Sequence, residues 1–175
     1  MTCYGGKELA AAFRTVRKNT LQIADDIPEA KYDFSPAPET RTVAQLLTHI
    51  ALLSGLQEDM HRTRRVTTLA GYDFGAAIGP MRAAEAEQRS KAQIIGMLRE
   101  RGDAFAAWLQ TLSADFLCET YTDPAGQNPR TRLEGLLSVK EHEMHHRGQL
   151  MLIERMLGIV PHLTREQQAR MAARR

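Results

Sequence analysis

The sequence predicts an all-α protein, a four-helix bundle with a long crossover between helices two and three and a short C-terminal helix. Three observations carry this. Apolar residues recur at spacings of three and four over four long segments, the period of one helix face. Ser or Thr stands three residues before Gln or Glu at Thr42/Gln45, Ser90/Gln93, Thr131/Glu134 and Thr164/Gln167, each a capping box that satisfies free amides at a helix start. Aromatic residues make up only 6% of the chain while Ala, Leu, Arg, Glu, Gln and Met are abundant, a balance that favours helix over sheet. At 175 residues the chain has the length of one domain with a substantial core, and it is read as a single domain over 1–175.

The first helix is expected over residues 7–25, with Leu9, Phe13, Val16, Leu21 and Ile23 on one side and Pro28 as its stop. Residues 32–39 contain Pro36 and Pro38 and read as an extended connection. The second helix starts at the Thr42 box and closes on Arg62, Arg64 and Arg65, where positive charge suits the helix dipole. On it Leu46, His49, Leu53, Leu56 and Met60 fall within an arc of roughly 80° at ~100° per residue, which sets His49 in an apolar stripe. Residues 66–89, with Gly71, Gly75, Gly79 and Pro80, read as the long crossover loop with a short helical turn at 82–88. The third helix runs from Ser90 to about Ser113, burying Ile94, Leu98, Phe105, Trp108, Leu109 and Leu112, with Gly102 as a weak point. A polar loop or short hairpin follows over 119–129. The fourth helix extends from Thr131 to about Leu157, where Gly158 stops it, and a short last helix starts at the Thr164 box after Pro161.

Composition narrows the function classes. A net charge of +2 is too small to argue for nucleic acid, and the basic end (Arg170, Arg174, Arg175) reads as a solvated helix terminus. Cys3 and Cys118 are far apart and neither lies in a CxxC pair, which argues against a disulfide framework or a zinc knuckle and for a reduced, cytoplasmic setting. No segment approaches the ~20 apolar residues of a membrane span, and the first residues lack a basic stretch followed by an apolar run. The expected partner is therefore a small molecule, with neither nucleic acid nor membrane.

Three of the six histidines stand in the fourth helix, at 142, 145 and 146. A neutral imidazole away from water needs partners for both nitrogens, so histidines on a packing face need a reason. His142 and His146 share an arc of roughly 80° with Val139, Leu150, Ile153 and Leu157, and are about 40° apart around the axis, one turn from each other. His145 lies about 100° from His146 and reads as a flanking residue, although its i, i+3 spacing to His142 would also permit a pair. Imidazoles at i and i+4 form a chelating pair for a metal ion. His49 is the one histidine on the core stripe of another helix, and a bundle can bring it to the same depth. Three nitrogen ligands would leave coordination positions open, as reactive metal sites do. His61 and His162 read as surface or helix-end residues, and Glu141 and Glu143 as solvated or paired with Lys140 or Arg147.

The run His142-Glu-Met-His-His146-Arg147-Gly148-Gln149-Leu resembles the C-terminal helix signature of the DinB/YfiT-like superfamily of metal-binding four-helix bundles. The upstream run from Phe34 through Thr42 to His49-Ile resembles its second-helix signature. The resemblance spans nearly the whole chain in order and spacing. It implies a divalent metal, zinc or nickel in the first place, on His49, His142 and His146, an unusual topology with a long crossover, and a homodimer.

Three neutral histidines would leave the full charge on the ion, so the site should stabilise an anion. The resemblance implies thiol S-transferases and thiol-dependent isomerases that use bacillithiol or mycothiol, and no Ser-His-Asp or Cys-His arrangement competes. The first expectation is a metal-dependent enzyme that activates a low-molecular-weight thiol, of S-transferase type. The alternatives are a metal-dependent hydrolase that activates water, or a metal- or ligand-binding stress-response protein without turnover. The segment after Pro36, the first helix and the crossover are expected to complete the pocket.

Overall fold

The computed structural model describes residues 4–174; Cys3 and Arg175, used above, lie outside the described residues. In chain order the elements are α1 (Gly6–Asp26), α2 (Val43–Leu52), α3 (Ser54–Glu58), α4 (Phe74–Ala86), α5 (Lys91–Gln110) and α6 (Ala114–Cys118), the strands β1 (Thr120–Tyr121) and β2 (Arg130–Thr131), then α7 (Arg132–Met156) and α8 (His162–Ala172). α1 packs along α5 and α7, and α2 lies against α5 with α4 on its other side. The bundle is thus α1, α2–α3, α5 and α7, with α4 as the crossover. β1 and β2 pair antiparallel, Thr120 with Thr131 and Tyr121 with Arg130, so the polar run between them is a hairpin.

Three capping boxes form as the sequence predicts. Thr42 accepts from the Gln45 amide at 3.2 Å while its own amide donates to Gln45 Oε1 at 3.0 Å; Ser90/Gln93 and Thr131/Glu134 repeat the exchange. The fourth does not form. α8 begins at His162 behind Pro161, three residues before it would have closed, and the Thr164 hydroxyl instead accepts from Arg155 at 3.1 Å. Pro161, whose fixed φ suits a helix entry, displaces the start signal.

Residues 66–89 depart furthest from expectation. Here a 13-residue helix, α4, spans Phe74–Ala86 with Pro80 inside it, capped by Asp73 Oδ1 accepting from the Ala76 amide at 2.9 Å. Only Glu85 of α4 is buried, so its glycine-rich sequence carries no apolar stripe to announce a helix. The second helix also differs. It passes Leu53 without leaving helical dihedrals, then ends in a π turn, Asp59–Thr63, with Arg64 N bonding Asp59 O at 2.8 Å. Residues 29–31 after Pro28 form a 3₁₀ turn ahead of the connection expected over 32–39.

The core divides in two. Leu9, Phe13, Phe105, Leu109, Leu136 and Val139 form one cluster, and Ile23, Ile27, Leu47, Ile50, Leu98 and Leu150 belong to the other. Between them lies a polar layer. Arg17 of α1 donates from Nε and Nη2 to the fully buried Glu143 carboxylate at 2.9 Å, from Nη1 to Leu98 O at 2.6 Å and from Nη2 to Ile50 O at 3.3 Å. Gly102 makes room for it, since a Cβ there would stand 2.8 Å from Arg17 Nη1. What looked like a weak point in the third helix is the space for a guanidinium. The expectation that Glu143 is solvated, or paired on its own helix, is overturned: its partner comes from α1.

Glu154, one turn beyond Leu150, is fully buried and neither carboxylate oxygen has a partner. Burial first, and Asp26 nearby second, push its pKa up to about 7. A folded-state value above the unfolded one means that the fold favours the protonated acid. Its stabilising contribution is complete below about pH 4.5 and is lost as pH rises through 7. Glu154→Gln is expected to raise stability at pH 8 by roughly 1–3 kcal/mol and to leave it unchanged at pH 4. Urea melts at the two pH values test this; an equal effect at both would refute it.

Candidate metal centre

The structure brings His49 of α2 and His142 and His146 of α7 together. One ligand atom from each lies within 4.8 Å of the others. Ring centroids are 4.6 Å apart for His142–His146, 4.8 Å for His49–His146 and 5.4 Å for His49–His142. Two metal–nitrogen bonds of about 2.1 Å reach at most about 4.2 Å across, so a small rotation lets the three rings share one ion. His145 stays outside the cluster, exposed, 6.4 Å from His142 by centroid.

Hydrogen bonds decide which nitrogens are available. His49 Nδ1 donates to Glu85 Oε1 at 2.6 Å. His146 Nδ1 donates to Gln149 Oε1 at 2.8 Å, and Gln149 Nε2 turns to His145 Nε2 at 3.2 Å. Both assignments place the proton on Nδ1 and the lone pair on Nε2, the arrangement that outer hydrogen bonds impose on metal-binding imidazoles. His146 Nε2 is buried and has no hydrogen-bond partner. A buried acceptor left without a partner costs about 1–3 kcal/mol, and an ion at this position would relieve that. The donor set fits a divalent metal.

Electrostatics agree. Burial, and then the neighbouring imidazoles, bring His146 down to about 4 against the opposing bond from Gln149. His142 is the exposed member, yet partial shielding from water, followed by His49, His145 and Arg41, lowers its pKa too. Both rings are therefore neutral near pH 7, as ligands must be. Burial alone would raise Glu85, but the hydrogen bonds from Arg41 and His49 outweigh it and hold the carboxyl below its usual range. Arg41 Nε reaches Glu85 Oε2 at 2.9 Å, so Arg41, Glu85 and His49 form one chain of contacts.

Two cavities flank the histidines. The smaller, about 270 Å³, is lined by His49 and His142 with Leu53, Leu56, Ile78 and Met81. The larger, about 660 Å³, reaches His146, Gln149, Glu85 and the segment after Pro36. Leu53 and Leu56, expected in the core, are half-buried because they form a cavity wall. The first helix contributes to neither cavity.

Sequence reasoning missed Glu85, which sits in the short helical turn read into the crossover, 36 residues from its partner. Gln149 stands against His146, whereas Gly148 faces open space. His61 and His162 are corrected as well, since both are buried. The wider π turn rotates His61 inward, where Nδ1 accepts from Arg132 at 3.1 Å and Nε2 donates to Gln57 at 2.9 Å. Burial, and then Arg132, lower its pKa to about 4, so it is a neutral structural residue. His162 Nε2 meets Asn19 Oδ1 at 3.3 Å at the foot of α8.

Comparison with known proteins follows the same lines. YfiT from Bacillus subtilis, described as a probable metal-dependent hydrolase with an unusual four-helix bundle topology, has a similar fold (TM-score 0.67, 18% identity, 91% of each chain covered). A DinB-like protein from Bacillus subtilis, YjoA, is also similar (TM-score 0.63, 18% identity, 86% of this chain and 92% of the other covered). No curated protein matches the chain. The DinB superfamily model matches residues 12–150, a span that contains α2, the α4 crossover and most of α7 with all three clustered histidines; the chain belongs to the DinB superfamily.

Proposed function

We propose that this protein is a metal-dependent enzyme that holds a divalent ion, zinc or nickel, on His49, His142 and His146 and activates a low-molecular-weight thiol for attack on an electrophilic small molecule. The observation that carries the reading is the pair of outer hydrogen bonds, Glu85 on His49 and Gln149 on His146, which leave the Nε2 lone pairs of two clustered rings for an ion. An ion bound by three imidazoles and no carboxylate keeps its full charge and supplies the field in which a thiol loses its proton near neutral pH. The chain's own residues do the rest. Glu85 and Gln149 hold two rings in orientation, and the apolar wall of Leu53, Leu56, Ile78 and Met81 binds the uncharged part of a substrate and excludes water. Among the described residues no helix is long and apolar enough to cross a membrane, and a reducing cytoplasm would keep such a thiol reduced. The homodimer belongs to the same reading: Met144, Leu152 and Met156 leave an exposed apolar stripe on α7 that a second copy would cover, and a monomer mass in sedimentation would count against it.

Hydrolysis at the same centre is the second reading, favoured by the likeness to YfiT. The two separate in one assay. Protein reloaded with zinc or nickel is offered epoxides and alkyl halides with a panel of thiols, and esters and amides without thiol. Thiol-dependent consumption of the electrophile is expected. Ester or amide cleavage at full rate without thiol would shift the assignment to a hydrolase, and inertness towards both would end both readings.

A further inference from the structure

Two arginines line both cavities beside the histidines, Arg41 from the start of α2 and Arg82 from α4. Among the described residues Arg41 is engaged only through Nε, on Glu85, which leaves its terminal amino groups without a protein partner there. Arg82, exposed at the rim of the smaller cavity, stands one turn before Glu85 on the same helix face and makes no hydrogen bond or ion pair among the described residues. The acidic side chains nearby do not neutralise it: Glu85 already serves Arg41 and His49, and Glu39, which shares the larger cavity with Arg82, forms no ion pair with it. An unpaired guanidinium fork beside an apolar cavity of about 270 Å³ matches one kind of ligand, an apolar body carrying a planar anion.

We propose that Arg82, with Arg41 beside it, is a specificity-determining anion site, and that the substrate entering the smaller cavity is a small carboxylate whose apolar part lies against Leu53, Leu56, Ile78 and Met81. This deepens the metal-dependent reading above, since the carboxylate anchors one end of the molecule while the rest lies beside His49 and His142. Arg82 acts by binding and positioning and takes no part in bond making. The crossover helix, which supplies Arg82, Glu85, Ile78 and Met81 together, is thereby the element that selects substrate.

The probes are 4-phenylbutyrate and its neutral analogue 4-phenylbutanol, titrated calorimetrically into the protein as isolated, with metal content measured alongside. Wild-type protein is expected to bind the carboxylate at least about tenfold more tightly than the alcohol. Arg82→Gln should lose about tenfold in carboxylate affinity with an unchanged melting temperature, and Arg82→Lys should fall between, keeping the charge but not the fork. Equal binding of the two probes, no binding of the carboxylate, or undiminished binding by Arg82→Gln would each overturn the proposal; the last would place the carboxylate on the metal alone. Protein that takes up neither zinc nor nickel on reloading would remove the metal-dependent reading while leaving the arginine-dependent difference measurable, so the two failures are distinct.

Discussion

Replacing His49, His142 or His146 with alanine is expected to abolish stoichiometric metal binding, while His145→Ala keeps it. Each triad member contributes one of three ligand atoms within 4.8 Å, and two remaining imidazoles cannot hold a divalent ion against exchange with water and buffer. Removing an outer partner should cost less. Glu85→Gln and Gln149→Ala leave all three rings in place but loosen two of them, and the expected loss is about 10–100-fold in affinity. The order of effects is the test: ligand variants worst, outer variants intermediate, His145→Ala near wild type. Elemental analysis of purified variants followed by competition with a chelator reads it directly. Metal retained at one equivalent by all three ligand variants would dispose of the triad.

The second large effect concerns stability. Arg17→Ala strands the Glu143 carboxylate, fully buried between the two halves of the core, with no other cation paired to it among the described residues. Breaking a buried pair from one side typically costs about 3–5 kcal/mol, because the remaining charge is neither hydrated nor compensated. Replacing both partners, as in Arg17→Met with Glu143→Leu, should recover most of that loss, since an apolar pair of similar volume often matches a buried ion pair. The site should register the change too. Arg17 ties Ile50 O, next to His49, to Glu143, next to His142, so the double variant is expected to fold stably yet bind metal more weakly than wild type. Chemical denaturation and metal competition on the same samples separate the two outcomes. A loss below about 1 kcal/mol for Arg17→Ala would show that the pair is not a keystone.

Much of this arrangement was legible in the chain because it is written locally. Thr42/Gln45, Ser90/Gln93 and Thr131/Glu134 start helices through bonds that span three residues, and each clustered histidine falls on the apolar stripe of its own helix by angular period. The same local logic failed where a neighbour intervened. Thr164 yielded to Pro161, and His61 was carried inward by a π turn that adds a residue to the repeat. His142 shares the stripe of Leu150 by angle, yet it is exposed at the cavity mouth while Glu143 beside it is buried, because Arg17 offers Glu143 a partner that no surface position could.

What the sequence determined by itself was therefore the class of fold, the starts of three bundle helices and the three histidines that the fold brings together. What only the tertiary structure decided was everything around those histidines: α4 as a helix, Glu85 against His49 across 36 residues, Arg17 against Glu143 across 126, and two arginines facing the same cavities. The reason is physical. Helix periodicity and capping depend on bonds between residues three or four apart, which any window of sequence contains. The bonds that orient a ligand or bury a charge depend on distances set by packing between helices, and those exist only once the chain has folded.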